Sequence, residues 1–315
     1  MRYLITGGAG FIGSHLCDLL LQLGAEIIVL DNFSTGKMEN LDARIEVVVG
    51  DCANMEIVAP LVEQVDGVFH LAAIASVAMS LNHWQQTTNS NLLATVTVLD
   101  AITKLARKVP FVCASSAAIY GDCQELPITE AVLPNPKTAY GVDKYASELH
   151  AKVGSELHDI PTSCMRFFNV YGERQDPNSP YSGVVSIFIN NFLQNNPVTI
   201  FGDGEQTRDF IYVGDVVKFL NAAMQNHHRT GHHDNKEVEH LRFNVCTGKQ
   251  TSLNQLADTI KQVTNSLSIV HYTDAKNGDI KHSLGSNRLI EQTLGYSAKT
   301  DITTGLAATI SHVRL

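Results

Sequence analysis

The chain has 315 residues, 44% of them hydrophobic and 17% charged, which excludes pervasive disorder and allows one large α/β domain or two unequal lobes. Its formal net charge of −9 comes without a basic run, and this argues against a nucleic-acid partner, which needs a basic face to release counterions. No apolar run approaches the roughly 18 residues of a membrane span, and strand-like residues begin at Arg2 with no room for a signal peptide, so a cytoplasmic protein without a membrane partner is expected.

In the first half, short β-rich runs at 3–6, 27–30, 45–49, 68–71, 111–115 and 163–167 alternate with helical patterns near 12–23, 89–105 and 139–157. Strands apolar on both faces, alternating with helices, predict a parallel sheet covered on each side. After Asn169 the rhythm changes: a stretch rich in Pro, Asn and Ser over 175–182 leads into a helical pattern at 184–193 and strand and turn segments around 199–203. A helix at 215–225 returns to the large domain, and a second helical pattern at 253–263 with the tail 278–315 completes a smaller lobe. The predicted division is 1–168 with 210–245 as the large domain, and 169–209 with 246–315 as the small lobe. Residues 227–240 (HHRTGHHDNKEVEH) pair histidines that could hold a metal, but they read more simply as a polar surface insertion, and no metal is expected. Among six cysteines there is no CxxC pair; Cys17, Cys113 and Cys164 fall in apolar stretches and are expected to pack as small hydrophobes.

The first strand runs into TGGAGFIG (6–13), which fits G-x-G-x-x-G through Gly8, Gly10 and Gly13, and also carries glycine at Gly7, Gly10 and Gly13. Such a turn brings backbone close to a pyrophosphate, whose charge is favoured at the following helix N-terminus. Asp31, ending the second strand, is placed to bind an adenosine ribose and repel a 2′-phosphate, so NAD is the expected cofactor. Asn32, Ser34, Thr35 and Gly36 offer further groups to the ribose, and Asp51 is placed to meet the adenine. Together these predict a Rossmann-type doubly wound α/β sheet with a smaller C-terminal substrate lobe.

Tyr140 and Lys144 stand at i, i+4 near the start of a predicted helix and share one face. A phenol with a pKa near 10 (roughly) is a poor base at neutral pH, and a neighbouring ammonium is expected to lower it. Ser116, at the end of the fifth strand, can hydrogen-bond the same reacting hydroxyl.

With these motifs the chain resembles the extended short-chain dehydrogenase/reductase family, in its UDP-glucose 4-epimerase-like branch, over nearly its whole length. The resemblance also rests on HLAA (70–73), SSAAIYG (115–121), RFFNVYG (166–172), QTRDFIYV (206–213) and GDIKHS (278–283). It implies cofactor contacts from Phe11, Ile12, Cys52, Leu71, Ala72, Ala73 and Ser115, support from Asn91, and Phe168 near the nicotinamide. On the substrate side it implies Asn169 at the diphosphate or sugar, Ser76 and Ser80 at the sugar or pyrophosphate, and Thr199 and Phe201 on the uracil. Arg208 is the implied cation on the diphosphate, joined by Val185, Asp279 and Ser283. Lys276 stands where relatives commonly carry Arg, so that second diphosphate contact is a departure.

The implied reaction is 4-epimerisation of a UDP-sugar: Tyr140 takes the 4-hydroxyl proton, hydride passes to NAD, and the 4-keto sugar turns before hydride returns. Dehydratases of this family need an acid–base pair directly after the strand-end hydroxyl, where this chain has Ala117 and Ala118. A small Ser283 is expected to admit an N-acetyl group at C2, pointing to UDP-N-acetylglucosamine/galactosamine with or without UDP-glucose/galactose. A UDP-glucuronate 4-epimerase is the alternative, less favoured because Asn169 is often Thr there. A non-catalytic NAD sensor would have lost Tyr140 or Lys144, and a simple alcohol reductase would prefer NADPH. By resemblance the chain is expected to form a homodimer through the helical segments 89–105 and 139–157.

Overall fold

The computed structural model describes residues 1–177, 183–230, 240–275 and 280–314. In chain order, the first half forms β1 (Arg2–Thr6), α1 (Phe11–Gln22), β2 (Glu26–Asp31), β3 (Glu46–Val49), α2 (Met55–Val62), β4 (Gly67–His70), α3 (Val77–Asn82), α4 (Trp84–Thr88), α5 (Ala94–Thr103), β5 (Phe111–Ser116), α6 (Ala139–His158) and β6 (Thr162–Phe167). The second half forms β7 (Asn169–Tyr171), α7 (Val184–Leu193), β8 (Val198–Phe201), β9 (Thr207–Arg208), β10 (Phe210–Tyr212), α8 (Val213–Thr230), β11 (His240–Val245), β12 (Thr251–Ser252), α9 (Leu253–Thr264), β13 (Val270–Thr273), α10 (Arg288–Leu294) and α11 (Ile302–Val313).

Seven parallel strands in the order β11-β6-β5-β4-β1-β2-β3 make the expected doubly wound Rossmann-type sheet. Burial follows position: Ile27 to Leu30 of the inner strand β2 are all buried, whereas β3 at the edge leaves both its end residues exposed. On one face, Leu16 and Leu20 of α1 pack with Phe219 and Leu220 of α8 and with Ile290 and Leu294 of α10. On the other, Val58 of α2, Val98 and Ile102 of α5 and Ala151 of α6 close over the sheet. Each fully buried side chain of the size of Phe219 contributes about 1.5–3 kcal/mol. The smaller lobe has a core of its own, where Phe188 and Phe192 of α7 meet Leu256 and Ile260 of α9, Leu306 of α11 and Ile200 of β8. None of the helices, among the described residues, is long and apolar enough to cross a membrane.

Three features differ from the sequence-based expectation. The single helix expected over 89–105 is broken: α4 runs through a π-type turn at Asn89–Leu93 before α5 begins. There Asn91 turns inward, accepting from the Ile74 amide at 2.8 Å and donating to its carbonyl at 3.2 Å, a long-range bond that no helical period reveals. Helix α2 escaped notice because Pro60 lies within it. The histidine-rich stretch is a surface insertion only in part. His227 is buried on α8 with Nε2 2.7 Å from Ser163 Oγ, and His240 opens β11 with Nδ1 2.7 Å from Thr162 Oγ1, while 231–239 lie outside the described residues.

The C-terminal segment is fastened to the large sheet by Asp215, wholly buried in the first turn of α8. It accepts from Tyr296 Oη at 2.6 Å, Lys299 N at 3.1 Å and Thr300 N at 2.8 Å. Asp215→Ala leaves those donors unmatched and is expected to cost about 2–4 kcal/mol. Urea unfolding should show it as a lower midpoint with an unchanged slope.

Candidate functional site

Chain order reverses between β1 and β4, and the diverging loops after these strands leave a crevice at the C-terminal edge of the sheet. A cavity of about 830 Å³ occupies it, running from the glycine loop past the end of β5 to the start of β7. Of the two glycine readings, the structure selects Gly7, Gly10 and Gly13, which line the cavity; Gly8 instead packs on the side chain of Val29. Gly7 has φ 70°, and a Cβ there would lie 2.7 Å from the Ala72 backbone, so the β1 and β4 loops meet only because it has no side chain. Gly10 is the N-cap of α1 and offers no side-chain cap, which leaves the first amides of the helix available to an anion.

Asp31 is buried at the end of β2. Its Oδ2 accepts from Ala9 N at 3.0 Å and its Oδ1 from Phe33 N at 2.8 Å, so it ties the glycine loop to the next turn while retaining lone pairs for a ribose. Asn32, Ser34, Thr35 and Gly36 line the same end of the cavity, as do Asp51 and Cys52. Phe11, Ile12, Leu71, Ala72, Ala73 and Ser115 form its walls toward the middle. Beneath Ala72, His70 bridges Thr6 Oγ1 at 2.8 Å and Thr95 Oγ1 at 3.1 Å; burial pushes its pKa down to about 3, so it works as a neutral brace.

Ser116, Tyr140, Lys144, Phe168 and Asn169 meet at the opposite end. Thr138 caps α6 by accepting from Gly141 N at 3.1 Å, which sets where Tyr140 enters. Burial pushes the Tyr140 phenol above its ordinary value, and the hydrogen bond with Ser116 pulls it back down. Burial also lowers the Lys144 ammonium, whose Nζ donates to the Ala114 carbonyl at 2.9 Å and stands 6.0 Å from the Tyr140 ring centroid. This corrects the expectation that Lys144 would govern the phenol: in the protein alone, desolvation dominates and acts in the opposite direction.

The remaining expected contacts lie away from this cavity. Asn91 acts through Ile74, whose residue does line it. Ser76 and Ser80 are buried around α3, with Ser76 Oγ accepting from Met79 N at 3.1 Å. Val185 belongs to the core of the small lobe. Thr199 and Phe201 are exposed on β8, and Arg208 is half-buried on β9 with Nη1 donating to Thr207 O at 2.9 Å. Ser283 joins this group through its amide, which donates to Thr207 O at 3.1 Å. Lys276 and Asp279 lie outside the described residues.

The sequence reading missed Lys37, Asn40, Ser90, Arg174, Gln175 and Asp176, all of which line the cavity. Residues 173–176 come from the small lobe and cross to the large one. His15 Nε2 is 3.0 Å from Glu173 O, Arg174 Nη2 is 2.8 Å from Asp18 Oδ2, and Lys37 Nζ is 4.0 Å from Asp176 Oδ2. Their adjacency to RFFNVYG was the one available signal.

The family model for the NAD dependent epimerase/dehydratase family matches residues 3–246. The structure of a UDP-glucose 4-epimerase with UDP-glucose from Thermotoga maritima is 34% identical with a TM-score of 0.92, covering 100% of this chain and 99% of that one. A UDP-N-acetylglucosamine 4-epimerase from Methanobrevibacter ruminantium, in complex with UDP-N-acetylmuramic acid, is 32% identical with a TM-score of 0.91, covering 99% and 98%. A Thermus thermophilus UDP-glucose 4-epimerase complexed with NAD is 32% identical with a TM-score of 0.88, covering 100% and 99%. A glycine cradle tight enough to exclude a Cβ, an uncapped helix end and a buried carboxylate at the end of β2 suit the NAD carried by the Thermus thermophilus protein. The chain belongs to the NAD dependent epimerase/dehydratase family of UDP-sugar enzymes, and its cofactor is NAD.

Proposed function

We propose that the protein is a UDP-sugar 4-epimerase, acting on UDP-N-acetylglucosamine/galactosamine with or without UDP-glucose/galactose. The observation that carries this reading is the meeting of Tyr140, Ser116 and Lys144 in the same cavity as the dinucleotide cradle. Bound NAD supplies the acceptor, and then the donor, of the sugar's C4 hydride. Tyr140 removes the 4-hydroxyl proton and later returns it, with Ser116 holding the sugar oxygen in line. Lys144, anchored by Ala114, presents a positive charge beneath the phenol. Ala117 and Ala118 follow Ser116 in the next turn, so no acid–base pair for water elimination stands there. The small side chain of Ser283, beside the Arg208 strand, is the feature that supports an N-acetyl sugar.

The deciding experiment is an NMR assay of purified protein with a panel of UDP-sugars. The expected result is interconversion of the C4 epimers of UDP-N-acetylglucosamine. Pentose formation or C4 inversion from UDP-glucuronate alone would assign the chain to a different branch of the family. Tyr140→Phe should retain folded protein and bound NAD yet lose at least about 100-fold in kcat, as expected for a general base.

A second prediction follows from the Ser116 bond. That bond favours the phenolate, so the base form grows as pH rises through the Tyr140 pKa, and kcat should climb with it. Ser116→Ala removes a stabiliser of the charged form, raises that pKa, and should displace the ascending limb of the kcat–pH profile to higher pH.

A homodimer is part of the same proposal. Val142, Leu149 and Val153 form an apolar stripe along α6, each close to half exposed at 48%, 46% and 47%, and Leu93 before α5 is exposed at 46%. A patch of this kind on paired helices suits a self-complementary two-fold contact. Leu149→Glu should convert a dimer to a monomer in size-exclusion chromatography with light scattering; an unshifted mass would place the interface elsewhere.

A further inference from the structure

Three consecutive residues at the end of β5 are each tied to α6, at positions one helical turn apart. The Ser116 hydroxyl meets the Tyr140 phenol, the Ala114 carbonyl accepts from Lys144 Nζ at 2.9 Å, and Ser115 Oγ donates to Glu148 Oε1 at 2.5 Å. Tyr140, Lys144 and Glu148 therefore share one helix face, but only the first two line the cavity. Glu148 is gripped from behind. Arg166 of β6 donates through Nε to Oε1 at 2.9 Å and through Nη2 to Oε2 at 2.7 Å. Its Nη1 donates to Tyr120 Oη at 2.7 Å, and that hydroxyl donates to Asn244 Oδ1 of β11 at 2.7 Å. Arg166 is fully buried and Glu148 is 2% exposed.

We propose that Glu148 is a positioning residue for the reaction: locked by Arg166, it holds Ser115 and so fixes the register of α6 against β5 at which Tyr140 meets Ser116. A lone hydrogen-bonded glutamate could turn about its last torsion. Two charge-assisted bonds from a planar guanidinium remove that freedom. The register matters because desolvation raises the phenol and the contact with Ser116 lowers it, and that contact is lost if the helix slides. A misplacement of about 1 Å at reacting atoms can cost on the order of 100-fold in rate. Arg166 also begins the run that carries Phe168 and Asn169 into the cavity, so the same pair orients both walls.

The inference rests on Tyr140 as the base, and the wild-type turnover assay tests that separately. Ser115→Ala, Glu148→Gln and the double variant are purified, and NAD content, KM, kcat against pH and melting temperature are measured on each. In Glu148→Gln, whose site lies outside the cavity, NAD content and KM are expected to stay within about twofold, while kcat falls about 10- to 100-fold in both single variants. The ascending limb of kcat should move to higher pH, and the double variant should be no slower than the worse single one, because both break one link. Additive losses, or a lower melting temperature with an unmoved pH profile, would overturn the proposal. Should Glu148→Gln fail to fold, Ser115→Thr decides: it keeps the hydroxyl, so restored kcat and limb position support the link, and a loss equal to that of Ser115→Ala refutes it.

Discussion

Moving a carboxylate and a guanidinium out of water costs several kcal/mol each, as an order of magnitude. The buried Glu148–Arg166 pair can offset that cost only through near-ideal geometry and matched neighbours. Both conditions hold: the contact is a two-bond fork, and Ser115, Tyr120 and Asn244 take up surrounding hydrogen-bonding capacity. Through it α6, β5, β6 and β11 are bound at a single point behind the Tyr140 end of the cavity. The Asn244 amide also donates to Glu130 Oε1 at 2.8 Å, which extends the network into the segment between β5 and α6.

The same burial that makes this pair rigid sets the electrostatics of the site. Around Tyr140 and Lys144 low polarity works against both charged forms, lifting the phenol and lowering the ammonium. A phenolate and an ammonium side by side are thus a state that the protein alone does not favour. At the opposite end the arrangement is reversed. Asp31 accepts from the backbone amides of Ala9 and Phe33, and the first amides of α1 stand free of side-chain caps.

The two lobes are joined across the dinucleotide cavity by the short run Glu173 to Asp176. Beyond the contacts of Glu173 to His15, Arg174 to Asp18 and Asp176 to Lys37, the Glu173 carboxylate accepts from Tyr212 Oη at 2.7 Å, tying the crossing to the strand that leads into α8. Arg174 adopts φ 63°, a left-handed conformation held by these contacts on either side.

Period and punctuation carried most of the architecture. Unbroken apolar runs such as 27–30 implied a parallel sheet, and the helical pattern read over 139–157 ends one residue short of α6. The glycine loop, Asp31 and the Tyr140–Lys144 spacing were legible because each depends on local geometry: a turn, a strand end, one helix face. What remained hidden depends on contacts between distant residues. The choice of Gly7 over Gly8 is made by Ala72 and Val29, the break at Asn91 by Ile74, and the burial of His227 by Ser163. The direction in which Tyr140 is shifted was also beyond the sequence, because desolvation depends on everything packed around the phenol, and a neighbouring lysine in the chain is only one part of that surrounding. The sequence by itself determined which groups could do chemistry and which helix face they share, since those follow from residue type and from 3.6 residues per turn. Only the tertiary structure decided which of them meet in one cavity and how strongly each is charged, since both are set by long-range packing and the exclusion of water.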